Sequence, residues 1–233
     1  FFFFFVISFF LFFTVLADEL LRHHLYRFVF QMKKTIIVAI CGASGAVYGL
    51  RLLKALLARP VHVHLSISSA GRKVMRHETA YEGGEFKTFL NDYGCRFHAA
   101  ARLDVHDPND LFAPPASGSF RHDGMVIAPC SMKTLGAIAS GLAEGLIGRA
   151  ADVCLKEKRP LILLTRESPL SAVHLENMGR AAAAGATIMP PCPGFYFRPE
   201  TIEDLVDHTV ARVLDHLNIE HDIVKQWGVD DAL

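Results

Sequence analysis

Net charge is missing from this sequence: 24 Lys and Arg stand against 24 Asp and Glu in 233 residues. A nucleic-acid binder draws affinity from a basic face that releases phosphate counterions, and a peripheral membrane protein draws it from a polybasic stretch. The even balance argues against both. Paired cysteine motifs are missing too. The five Cys (41, 95, 130, 154 and 192) are odd in number and include no C-x-x-C. Free thiols in a reducing compartment, the cytoplasm, are therefore the expected state. His62 and His64 lie two apart and would share one strand face, but no third ligand has suitable spacing, so no metal site is expected. There is no G-x-G-x-x-G and no P-loop lysine, which removes the dinucleotide fingerprint and the Walker-type site. At 51% hydrophobic residues, disorder is excluded over most of the length.

Phenylalanine is abundant but unevenly placed, with 11 of the 18 in residues 1–31. Residues 1–17 are almost unbrokenly apolar, short for a bilayer span of about 20 residues and without a basic segment before them. This stretch reads as an extraneous extension, with a membrane or export segment as the minor alternative, and Met32 looks like the natural start. Residues 1–31 are set apart from the fold on that basis.

From Thr35 onward, short β-branched runs alternate with amphipathic stretches. Strands are expected at 35–40, 61–68, 125–128 (stopped by Pro129), 161–165 and 186–189. Helices are expected near 47–57, 71–79, 85–93, 131–140, 146–156, 171–184 and 201–217. Residues 99–123, with Pro108, Pro114 and Pro115, read as an irregular segment. The alternation predicts one doubly wound α/β domain with a parallel sheet, Rossmann-like, over residues 32 to about 217, followed by a tail at 218–233. Ligands of such sheets sit beyond the carboxyl ends of the strands, which gathers segments 41–45, 66–71, 128–134 and 165–171.

Those segments carry suitable chemistry. Gly42-Ala43-Ser44-Gly45 is a tight strand-to-helix turn whose N–H groups can face an anion. Ser66, Ser68 and Ser69 offer hydroxyls to the same crevice, and Ser131-Met132-Lys133-Thr134 opens another helix. Two hydroxyl-rich entrances suit a phosphate monoester, a mononucleotide better than a dinucleotide. Arg149 and Lys156 are two helical turns apart on one face and can clamp a second anion. Arg166-Glu167 follows a buried strand directly, a position where charge is more often functional than structural.

In these strings, together with Tyr48-Gly49, Pro114-Pro115-Ala116-Ser117-Gly118-Ser119, Leu146-Ile147-Gly148-Arg149, His174-Leu175-Glu176-Asn177-Met178 and Pro190-Pro191 to Phe195-Tyr196, the chain resembles the UbiX/Pad-type flavin prenyltransferases from about Lys33 to Trp227. The resemblance implies transfer of a dimethylallyl group from dimethylallyl phosphate to reduced FMN, giving the prenylated FMN used by UbiD-type decarboxylases, in a large homo-oligomer with sites at interfaces. It implies that Gly42, Ala43, Ser44, Ser68, Ser131, Met132, Lys133, Thr134 and Arg166 bind FMN. Arg149, Lys156, Glu167, Tyr196 and Arg212 would hold dimethylallyl phosphate. Ser44 and Glu78 would handle protons during ring closure, and Trp227 would line the site.

The residue types suit that chemistry. Arg, Lys and a Tyr hydroxyl can stabilise a departing phosphate without a metal, and Glu167 can protonate it. Two other readings are an FMN-dependent cysteine decarboxylase and a flavin-binding carrier without catalysis. The first would place a His soon after the first helix, where this chain has Ser68-Ser69-Ala70-Gly71.

Overall fold

Ile36 to Ile40 are apolar throughout because both faces of this strand are buried, as a central strand of a parallel sheet requires. In a computed structural model, residues 34–224 are described. The hydrophobic N-terminal run and Trp227 lie outside the described residues. The strands are β1 (Thr35–Ile40), β2 (His62–Ile67), β3 (Arg102–His106), β4 (Gly124–Cys130), β5 (Leu161–Thr165) and β6 (Thr187–Ile188). The helices are α1 (Ala46–Leu57), α2 (Ser69–Glu78), α3 (Phe86–Asp92), α4 (Met132–Ala139), α5 (Gly145–Lys156), α6 (Ala172–Ala183) and α7 (Ile202–His216). All six strands are parallel, in the order β3-β2-β1-β4-β5-β6. This is the expected doubly wound sheet, and its order reverses between β1 and β4.

The two-residue period of β1 sorts its side chains into two cores. Ile36, Val38 and Ile40 pack with Leu50, Leu53 and Leu57 of α1 and Val206, Val210 and Val213 of α7. Ile37, Ala39 and Cys41 pack with Leu135 of α4, Ile147, Ala151 and Cys154 of α5, and Ala181 of α6. Hence α1, α2, α3 and α7 contribute to one face, and α4, α5 and α6 to the other. Arg51 of α1 pairs with Asp207 of α7, fastening two helices of the first layer. Ile219, just past α7, is buried in that first core.

Two sequence expectations need correction. β3 lies inside the segment 99–123 read as irregular. Its sequence R-L-D-V-H carries only one residue, Leu103, packed against the first core, because an edge strand pairs on one side and leaves the rest to solvent. Pro129 does not stop β4, which continues to Cys130 through a local register shift. Pro129 has no N–H to donate, but its carbonyl accepts from Cys41 N at 3.1 Å, and Cys130 pairs with Thr165. Among the described residues, no helix is long and apolar enough to cross a membrane. Cys41, Cys95, Cys130 and Cys154 are buried free thiols, while Cys192 is exposed.

The layer of α1 lies against the end of β4 at Gly49, where an added Cβ would sit 2.4 Å from the carbonyl oxygen of Ala128 and 3.0 Å from Ile40. Backbone cannot rotate away as a side chain can, so Gly49→Ala is expected to lower stability by about 1–3 kcal/mol. A reduced urea-unfolding midpoint at unchanged m-value checks this.

Candidate active site

Parallel strands deliver their exits to one edge, and hydrogen bonds tie those exits together there. Cys41 N donates to Pro129 O at 3.1 Å, Ser68 N to Ile40 O at 3.0 Å, and Arg166 N to Cys130 O at 3.2 Å. Thr134 Oγ1 reaches Cys41 Sγ at 3.3 Å. The four expected segments are therefore neighbours. Their approach is close enough to require glycine: a Cβ on Gly42 would lie 2.4 Å from Ala70 Cβ, and one on Gly71 2.5 Å from Ile40 O.

Three of the helix starts at this edge lie at the exits of β1, β2 and β4. Ser68 caps α2 by accepting from Gly71 N at 2.9 Å. Ser131 caps α4, its Oγ accepting from Thr134 N at 3.3 Å and lying 3.0 Å from Thr134 Oγ1. Capping orients these serine hydroxyls at the positive ends of two helices. Met132 and Lys133 fill the first turn of α4, Lys133 exposed. The third entrance differs. Gly45, at φ 105°, opens α1 without a side-chain cap of its own. Glu78, at the end of α2, supplies the anion: its Oε2 accepts from Gly45 N at 2.9 Å and from Ala46 N at 2.8 Å. The expectation that this turn offers its N–H groups to a ligand is corrected for Gly45, whose donor is taken by the protein's own carboxylate.

The Glu78 carboxylate lies below the usual range. Burial works against ionisation, but the hydrogen bond from the Ser44 side chain, those from Ala46 and Gly45, and the nearby Arg166 charge outweigh it. Ser44, Glu78 and Arg166 thus form one cluster over the β1 exit. Arg166 Nε is buried with no hydrogen-bond partner among the described residues, and so are the hydroxyls of Thr165 beside it and Ser66 at the end of β2. A buried guanidinium nitrogen without an acceptor is costly unless an anion completes it. Thr165 was not singled out from the sequence. The one available signal was a polar residue closing the apolar run Leu161–Leu164.

The second set of residues is not gathered within the chain. Arg149 and Lys156 lie on α5, where Arg149 donates to Ala116 O at 3.0 Å and Asp152 Oδ2 at 2.6 Å. Lys156 Nζ donates to Glu157 at 2.6 Å. Leu146 N at the start of α5 bonds to Pro108 O, just past the end of β3, and the helix runs about 18 Å away from that edge toward the start of β5. Lys156 consequently lies at the end of the sheet opposite Ser44 and Arg166. Arg212 is on α7, across the sheet, donating to Asp215 at 2.9 Å. Glu167 is exposed on the turn after β5 and accepts from Ser168 N at 3.1 Å. Tyr196 Oη is 2.9 Å from His208 Nε2.

The flavoprotein family model matches residues 30–214. Over 197 residues the chain is 49% identical to the flavin prenyltransferase UbiX of Pseudomonas aeruginosa, covering 83% of this chain and 93% of that one. The chain belongs to the UbiX-type flavin prenyltransferases. It is also 45% identical to the mitochondrial flavin prenyltransferase PAD1 of Saccharomyces cerevisiae, over 83% of this chain and 75% of that protein. Among solved structures, AnUbiX (PadA1) in complex with FMN and dimethylallyl pyrophosphate is similar at a TM-score of 0.76 and 43% identity, covering 85% of this chain and all of that one. A dodecameric FMN-dependent UbiX-like decarboxylase from Escherichia coli O157:H7 is similar at 0.74 and 45%, covering 83% and 98%.

In this flavin prenyltransferase the Glu78 clamp makes stability depend on pH. Its folded-state pKa is below the ordinary 4.5, so its contribution is complete above that value and is lost as pH falls through the folded pKa. Between about pH 5 and pH 3 the urea midpoint of the parent protein should fall further than that of Glu78→Gln. Equal falls would remove Glu78 from the linkage.

Proposed function

We propose that this chain transfers the dimethylallyl group of dimethylallyl phosphate to N5 and C6 of reduced FMN, with side-chain cations rather than a metal ion facing the leaving phosphate. The product, prenylated FMN, passes to a UbiD-type decarboxylase. The observation that carries the reading is the buried, unpartnered Arg166 Nε beside the Ser44–Glu78 pair at the joined helix entrances.

The residues fit a flavin mononucleotide. Gly42, Ala43 and Ser44 would form one wall of its site, Ser68 and Ser131 to Thr134 would supply hydroxyl and N–H donors, and the buried Arg166 Nε–H would donate to it. Reduced FMN, when bound, supplies the nucleophilic N5 and the adjacent C6. Glu78, held ionised, accepts the proton released at ring closure through the Ser44 hydroxyl. Glu167, one residue beyond Arg166, delivers a proton to the departing phosphate. Arg149, Lys156, Arg212 and the Tyr196 hydroxyl hold that phosphate and stabilise its growing charge. The aromatic role that the resemblance gives Trp227 falls outside the described residues.

Because Lys156 and Arg166 lie at opposite ends of the sheet and Arg212 lies across it, the phosphate group of residues is assembled from neighbouring copies. The present partners of those cations, Asp152, Glu157 and Asp215, form short-range, partly exposed pairs that solvent screens, so exchange for phosphate is inexpensive. Exposed Phe112, Val173, Leu175 and Ile202 supply apolar surface for such contacts. Five unpaired cysteines and a reduced flavin suit the cytoplasm.

Incubation of the protein with FMN, a reductant and dimethylallyl phosphate under anaerobic conditions should give prenylated FMN by mass spectrometry without added divalent metal. Absence of product would refute the reading. Glu167→Gln should bind FMN normally and lose about 10²–10⁴-fold in turnover. Co-assembled Ser44→Ala and Lys156→Ala chains, each inactive alone, should regain part of the activity. No recovery in mixed oligomers would place the site within one chain.

A further inference from the structure

His62 and His64 alternate with Val63, Leu65 and Ile67 on β2. The latter three enter the first core, so the histidines face the other side, over β3 and the segment 107–123. The missed edge strand changes the expectation about metal binding. Asp104, opposite His64 in the β2–β3 register and 42 residues from His62, supplies the third ligand that the spacing within β2 does not. One ligand atom from each of His62, His64 and Asp104 lies within 4.8 Å of the other two. His62 Nε2 and Asp104 Oδ2 are already 2.7 Å apart.

His64 is only 3% exposed, and its two ring nitrogens are unequal. Nδ1 is 2.9 Å from His106 Nε2, whereas Nε2 is buried with no partner. A neutral imidazole has one donor and one acceptor. If Nδ1 donates to His106, a buried lone pair at Nε2 is unused; if Nδ1 accepts, a buried N–H is orphaned.

We propose that His62, His64 and Asp104 form a site for one divalent transition-metal ion of the zinc class on the outer edge of the sheet, separate from the prenyl-transfer site. Two imidazoles and one carboxylate are a common zinc ligand set, with bonds of roughly 2.0–2.2 Å that place ligand atoms about 3.4 Å apart in a tetrahedron. The 2.7 Å contact opens slightly and the others close from within 4.8 Å by side-chain rotation. Side-chain exposures of 21% for His62 and 51% for Asp104 leave an entry path and a fourth position for water. His106, bonded to His64, is a positioning residue that fixes the ring.

Chelator-treated full-length protein, titrated with zinc in a calorimeter and with cobalt(II) followed by visible absorption, should bind one ion per chain with tetrahedral cobalt bands, and zinc should raise the melting temperature. The pair His62→Gln/Asp104→Asn should weaken binding at least ~100-fold and abolish the melting shift, while His106→Ala weakens it ~10–100-fold. FMN binding by each variant confirms that it is folded. Absence of stoichiometric zinc in the parent, or undiminished binding in the paired variant, would overturn the site. Prenyl transfer should be the same before and after chelation. A loss restored by zinc would overturn the separation of the two sites.

Discussion

Parallel strands joined by right-handed crossovers must all point their carboxyl ends at one edge, and the chemistry of this chain is organised by that requirement. β1 and β4 flank the reversal in strand order, so their exits diverge to opposite helical layers and leave a crevice between them. Into it open the positive ends of α1, α2 and α4. Two are capped by serines, which leaves room for a ligand's oxygens, and one is closed by Glu78. The closure has two effects. It ties the end of α2 to the start of α1, and it holds a carboxylate ionised next to Ser44 and Arg166. A group fixed by backbone N–H donors cannot drift as an exposed glutamate would, so the same bonds that stabilise the helix start also position the carboxylate.

Much of this arrangement was legible in the chain. Continuous apolar runs marked the central strands because burial on both faces removes the polar alternation, and the hydroxyl residues after them marked the helix entrances. Less legible was β3, whose R-L-D-V-H reads as loop because an edge strand buries almost nothing. Pro129 misled for a related reason: it breaks a ladder by its missing N–H, yet its carbonyl still serves β1. The Ser44–Glu78 pairing joins residues 34 apart through a tertiary contact that no local pattern encodes. It came only from resemblance, as did the site roles of Tyr196 and Arg212. Asp104 beside His62 is the same kind of blind spot, since strand register decides the contact and β3 had to be seen first.

The sheet edge carries its own logic. β3 pairs with β2 alone, and its outward residues Arg102, Asp104 and Val105 are exposed, a charged border that discourages another strand from adding. A histidine such as His64, buried there with an unmet ring nitrogen, is not explained by edge protection, which calls for exposed charge. It requires an acceptor, a donor or an ion from outside the described residues.

The two halves of the proposed transfer site differ in how much of their cost is met by folding. The Nε of Arg166 is already buried and its backbone is tied to Cys130 O, so on the nucleotide side of the crevice a ligand recovers an interaction the fold has left open. Arg149, Lys156 and Arg212 are the reverse: exposed or half-exposed, each turned to a carboxylate within three residues of it, and divided between two faces and two ends of the sheet. In the proposed site their preorganisation comes from contact between chains. Flavin binding and assembly are thereby coupled whenever the neighbouring copy touches the bound nucleotide, because a ligand that bridges two chains binds the assembled state more tightly than the separated one and shifts the equilibrium toward it by that difference.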